Sequence, residues 1–151
     1  MARIQQRVLV QGKPCPDPQR PCDLPGNRFQ PNELSFEAPR KFEFDRGEDR
    51  SQAFYAVVLA SGPACGIAEQ QRLRAQELFP HNKVFLHRYF CEDFSDKVTY
   101  TNVDRKHAFL AVYAGETEAA ARTFLDQVKA SGRFPGANVR RMQVVIKWQL
   151  E

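Results

Sequence analysis

The chain has 151 residues, a net charge of +4, 42% hydrophobic and 26% charged residues. That is enough for one domain with its own core plus an appendage, and it excludes a disordered or collagen-like chain. The positive balance is mild and the signs are mixed along the chain, so charge alone does not define a polyanion binder.

No apolar run approaches the roughly 18 residues of a membrane span. The N-terminal stretch "MARIQQRVLVQGKP" lacks the apolar core of a secretory leader. Two settings follow: the cytoplasm, or an exported form whose leader has been removed.

Residues 11–39 hold seven of the ten prolines: Pro14, Pro16, Pro18, Pro21, Pro25, Pro31 and Pro39. Proline fixes φ and removes a donor, so neither a helix nor a central strand is expected there. The segment reads as an extended arm. "KFEF" at 41–44 alternates as a half-buried strand does, and "DRGED" reads as a turn. The arm is therefore expected over 1–52 and the folded domain over 53–151.

"FYAVVLA" from Phe54 has the length and composition of a strand. A helix is predicted over 66–79, with Ala64, Ala68, Ala75, Leu78 and Phe79 on one face and Leu73 off it. "KVFLHRYF" is the next strand, followed by the polar excursion "CEDFSDKVTYTNVDRK", in which "VTYT" is a candidate short strand. "HAFLAVYA" is a strand. "GETEAAARTFLDQVKAS" is a helix whose stripe is Thr117, Ala121, Phe124, Leu125 and Val128, and Gly132 stops it. "ANVRRMQVVIKWQL" reads as one long final strand.

The order is β-α-β twice. It predicts an α+β fold of ferredoxin-like or RNP-like split βαβ plan (βαββαβ), an antiparallel sheet with both helices on one face, plus the extended arm.

The four cysteines allow three disulfide connectivities, and neighbour pairing, Cys15–Cys22 with Cys65–Cys91, is the first choice. Stiff prolines in "CPDPQRPC" favour closure of the first loop; two free thiols in a flexible tail are the alternative. Cys65 stands near a helix start, where a thiol's pKa falls, so a reactive thiol competes with a disulfide there. In the split βαβ plan the strands before Cys65 and Cys91 are parallel, and their ends reach the same sheet edge, which favours a clamp.

His81, His87 and His107 lack the spacing of a helical metal site, and no phosphate loop or serine elbow occurs. No metal, cofactor or catalytic set is expected. Glu92, Asp93 and Asp96 read as solvated loop carboxylates.

The units "FYAVVLAS…EQQRLRAQELFPHNKVFL" and "FLAVYAGETEAAARTFLDQVKASGRFPGANVRRM" resemble a SPOR domain, the sporulation-related repeat of bacterial envelope proteins, over residues 53–147. The resemblance implies a non-catalytic module in the periplasm or cell envelope that binds peptidoglycan glycan strands on the open sheet face. With Ala56 and Val58 taken as inward, that face carries Tyr55 and Val57. With Val84 and Leu86 inward it carries Phe85, His87 and Tyr89, and with Met142, Val144 and Ile146 inward it carries Arg141, Gln143, Val145 and Lys147.

One departure stands out. "FYAVVLA" and "AFLAVYA" are apolar on both faces, whereas a sheet with one wet face alternates. Either the arm covers the face, or a partner protein does, and the chain is then a structural or assembly subunit of an envelope complex. A third reading is an RRM-like nucleic-acid binder using Tyr55 and Tyr113, although the expected basic-aromatic motif is missing, so no nucleic acid is expected as a partner.

Overall fold

The computed structural model describes residues 11–22, 29–37, 48–89, 91 and 98–147. The strand expected at 41–44 and the carboxylates of the 92–97 loop lie outside the described residues.

The elements are β1 (Gln11–Gly12), β2 (Glu48–Ser51), β3 (Phe54–Gly62), α1 (Glu69–Leu78), β4 (Val84–His87), β5 (Val98–Tyr100), β6 (Ala108–Gly115), α2 (Glu118–Ala130), β7 (Asn138–Met142) and β8 (Val144–Lys147). They form an α+β fold with two sheets. One sheet has the order β4-β6-β3-β7, every pair antiparallel. The second has the order β1-β2-β8-β5, with β1 parallel to β2 and the other pairs antiparallel.

The first sheet is buried on both sides, which explains the apolar strands. Val57, Leu59, Val84, Leu86, Leu110 and Val112 pack under Ala75 of α1 and Ala121, Leu125 and Val128 of α2. On the reverse side, Phe54, Ala56, Val58, Phe85, Phe109 and Tyr113 pack against Val98, Tyr100, Val144 and Ile146 of the second sheet. Leu34 and Phe36 of the arm complete that layer and are fully buried. Three layers therefore enclose two apolar cores: helices, central sheet, then second sheet with arm.

Four expectations need correction. The final strand is two strands. Gln143 breaks it, and the chain passes from one sheet to the other there. At this corner the Gln143 N–H donates to Thr101 Oγ1 (2.8 Å), its side-chain amide donates to the Ser51 carbonyl (2.9 Å), and the Val144 N–H donates to Ser51 Oγ (2.9 Å).

The turn expected across 45–49 gives way at Glu48 to β2, because β8 offers an antiparallel partner. The parity of β3 and of the last strand is reversed: Val57 faces the helices, while Ala56 and Val58, and likewise Met142, Val144 and Ile146, lie in the core between the two sheets. A strand apolar on both sides carries no phase signal, so its sequence cannot orient it. Leu78 of α1 is exposed, because the buried face of this helix is Arg72 and Ala75.

The arm is built into the fold. Gly12 shows why its local sequence matters: a Cβ there would lie 1.5 Å from the Glu37 carbonyl oxygen, so only glycine permits this approach. Cys15 N–H donates to the Ser35 carbonyl and Lys83 N–H to the Pro16 carbonyl, both at 2.8 Å. Helix α2 has the expected punctuation: Thr117 Oγ1 accepts from Ala120 N–H at its start, and Gly132 takes φ of 73° after its end.

Candidate functional site

The four cysteines form two disulfides, Cys15–Cys22 and Cys65–Cys91, with Cα atoms 5.9 and 5.8 Å apart. A thiol nucleophile at Cys65 is thereby ruled out in this state. Cys65 follows β3 and Cys91 follows β4, and the bond ties the loop before α1 to the segment beyond β4; Tyr89 N–H reinforces it by donating to the Ala64 carbonyl at 3.0 Å. The pairing fits an oxidising compartment. No helix among the described residues is long and apolar enough to cross a membrane.

The nine residues expected on one open sheet face occupy several places, and Val145 is buried on β8. Tyr55 and Val57 lie with the helix-side core, and Val57 is fully buried. Phe85 is fully buried between the sheets, stacked on Tyr100 at 5.0 Å between centroids. Gln143 is spent on the corner described above. Arg141 is exposed on β7, paired in register with Tyr55. Tyr113 sits in the inter-sheet core and Tyr55 on the helix side, so the two cannot form a common stacking platform. The face that the resemblance would assign to a ligand is occupied by Leu34, Phe36 and the second sheet.

The other three, His87, Tyr89 and Lys147, line one hollow together. It measures about 270 Å³ and is completed by Arg88, Thr99, Arg105 and Lys106. His87 forms its inner wall. The residue is only 7% exposed, and its ring lies 5.7 Å from Phe109 and 6.1 Å from Tyr100. Its Nε2 is 3.2 Å from the Arg105 carbonyl oxygen. A carbonyl only accepts, so Nε2 carries the proton and tethers the 104–107 turn to the end of β4.

That turn is built by Asp104. Its Oδ1 accepts from Lys106 N–H (2.9 Å) and its Oδ2 pairs with His107 Nδ1 (2.7 Å). The Lys106 backbone donor, ahead of the His107 charge, holds the Asp104 carboxyl below its ordinary range. The geometry projects Arg105 and Lys106 outward as exposed cations. Sequence reading placed these two in a polar excursion; the signal that could have found them is the Asp-x-Lys turn motif in "VDRKH".

A second hollow of about 330 Å³ lies on the other side of this turn, where Asp104 and His107 meet Ser61, Val103, Phe109 and Arg140. Arg140 donates to the Asn102 carbonyl (2.9 Å) and to Asn138 Oδ1 (3.2 Å), so its guanidinium serves the loop.

Comparison of the chain with protein-family models, with curated proteins and with solved structures finds no match.

Proposed function

We propose that this chain is a non-catalytic binding module of the bacterial cell envelope, SPOR-like in plan, that holds peptidoglycan glycan strands at the hollow formed by His87, Tyr89 and Lys147. The strand order β4-β6-β3-β7, with α1 between β3 and β4 and α2 between β6 and β7, agrees with a ferredoxin-like split βαβ plan. The two disulfides agree with the periplasm.

The observation that carries the reading is the hollow itself, where aromatic rings and cations converge on one concavity. Rings give a sugar a flat apolar surface, and long cations reach its oxygens. The ligand site is moved from the sheet face to this rim, because the face is covered from within the chain.

Retention on purified sacculi, with and without amidase treatment, tests the reading. The wild type is expected in the pellet, and Tyr89→Ala and Lys147→Ala are expected to reduce retention with the fold intact. A protein that stays in solution with both preparations would remove the glycan role.

One observation favours a second reading, a structural subunit of an envelope assembly. Leu34 and Phe36 give the chain its own cover over the sheet, as such a subunit would need to be stable before docking. Co-purification of a defined envelope protein with no sacculus binding would select it.

A further inference from the structure

Two separate elements deliver exposed cations to the hollow at the end of β4. Lys147 ends β8, and Arg105 with Lys106 come from the turn before β6. No residue lining it among those described is acidic. Two carboxylates on the same or paired elements are committed elsewhere. Asp104 closes its own turn and lines the opposite hollow. Glu48, the cross-strand partner of Lys147, is held by Arg50 Nε at 2.7 Å.

Arg105, Lys106 and Lys147 are exposed, whereas the inner wall is the buried ring of His87. Thr99 sits on the exposed side of β5, half-buried, and adds a hydroxyl to the lining. An apolar ring wall with a cationic rim does not fit a neutral ligand best. Like charges brought together are held at a cost that an anion relieves, and guanidinium and ammonium groups pair with oxyanions through charge-assisted hydrogen bonds.

We infer that this hollow binds an acidic sugar, with the ring against His87 and Tyr89 and a carboxylate or phosphate between Arg105, Lys106 and Lys147. The inference rests on the glycan-module reading above and adds the charge that the ligand must carry. Neutral hexoses are excluded as ligands, and binding is salt-sensitive because the cations are at the rim.

The test titrates the full-length oxidised protein with D-glucuronate, glucose 1-phosphate, glucose and inorganic phosphate, following backbone amide shifts by NMR. The expected result is saturable shifts at residues 87–89, 99, 105–106 and 147 with one or both acidic sugars and none with glucose. The glucuronate and glucose 1-phosphate arms separate carboxylate from phosphate. Lys106→Ala and Lys147→Ala are solvent-facing changes that leave the fold in place, and each is expected to weaken binding up to about fivefold, the range of an exposed charge pair.

The inference falls if neither acidic sugar shifts these residues, or if the double variant binds as well as the wild type. It falls also if inorganic phosphate binds as tightly as glucose 1-phosphate, because the rings would then contribute nothing. Retention on sacculi without acidic-sugar binding would sink the inference and leave the module reading standing. Acidic-sugar binding without retention would do the reverse.

Discussion

The backbone N–H of Leu34 donates to the hydroxyl of Tyr100 at 3.2 Å, joining the arm to β5 across 66 residues of sequence inside the protein. Both residues are buried, Leu34 at 0% and Tyr100 at 2% exposure. A buried N–H without an acceptor costs about 1–3 kcal/mol, so Tyr100→Phe is expected to destabilise the protein by about that amount. Tyr113→Phe, at the edge of the same core, is expected to cost less. Urea unfolding of the oxidised protein measures both. Equal midpoints for the two variants would mean that the arm does not depend on the Tyr100 hydroxyl.

Lys83 anchors the arm from the other side, its ammonium donating to the Pro31 carbonyl at 2.5 Å. Burial, and then the charge of Arg72, lower its pKa from 10.5 to about 8. The folded state therefore gives up this proton near pH 8 and the unfolded state near 10.5. Between those values the unfolded state binds more protons, so the contribution of Lys83 to stability rises with pH. Tyr100 acts in the opposite sense. Burial raises its pKa, so above pH 10 the unfolded chain loses a proton that the folded one keeps, and stability falls. The expected profile climbs from about pH 8, then turns over near pH 10. Thermal melts across pH 7–11 read it. In Lys83→Met the climb should vanish while the fall above pH 10 remains.

The two disulfides close loops with sequence separations of 7 and 26 residues. Loop-closure entropy gives about 2.4 kcal/mol for the shorter and about 3.5 kcal/mol for the longer. The paired variants Cys15→Ala/Cys22→Ala and Cys65→Ala/Cys91→Ala are expected to follow that order in chemical denaturation. The longer bond also fixes Tyr89, one wall of the hollow, so its loss should weaken ligand binding while loss of the shorter bond does not. If the variant lacking Cys15–Cys22 were the less stable of the two, the arm would contribute more than chain entropy.

Much of this architecture was legible from the sequence because its signals are local. The strands at 54 and 108, the helix at 118 and the cysteine partners were read from periodicity, caps and spacing. What was missed depends on contacts distant in sequence. The phase of β3 could not be read, since Val57 and Val58 are equally apolar and are buried against different layers. The break at Gln143 is invisible until Ser51 and Thr101 arrive to satisfy it. Charged side chains are rarely buried, and Arg72 of α1 is an exception. It is 4% exposed because Glu69 and the Val84 carbonyl take its guanidinium. The hollow was half legible. His87, Tyr89 and Lys147 were named for a sheet face, and they meet at its rim because the 104–107 turn folds toward them.

Phe36 tests the claim that the chain covers its own sheet. It is fully buried in the inter-sheet core, with the Phe29 ring 5.6 Å away, and a bridge to Pro14 holds its backbone. Truncating a buried Phe removes its transfer energy and leaves a cavity, typically about 3–5 kcal/mol. Phe36→Ala should therefore cost far more than Leu73→Ala, whose side chain is 49% exposed on α1 and whose loss should stay within about 0.5 kcal/mol. Because the cavity opens on the side of the sheet away from the helices, the variant should also bind the apolar dye ANS under native conditions, and Leu73→Ala should not. A Phe36→Ala protein as stable as the wild type and dark to the dye would show that a partner, rather than the arm, closes that face.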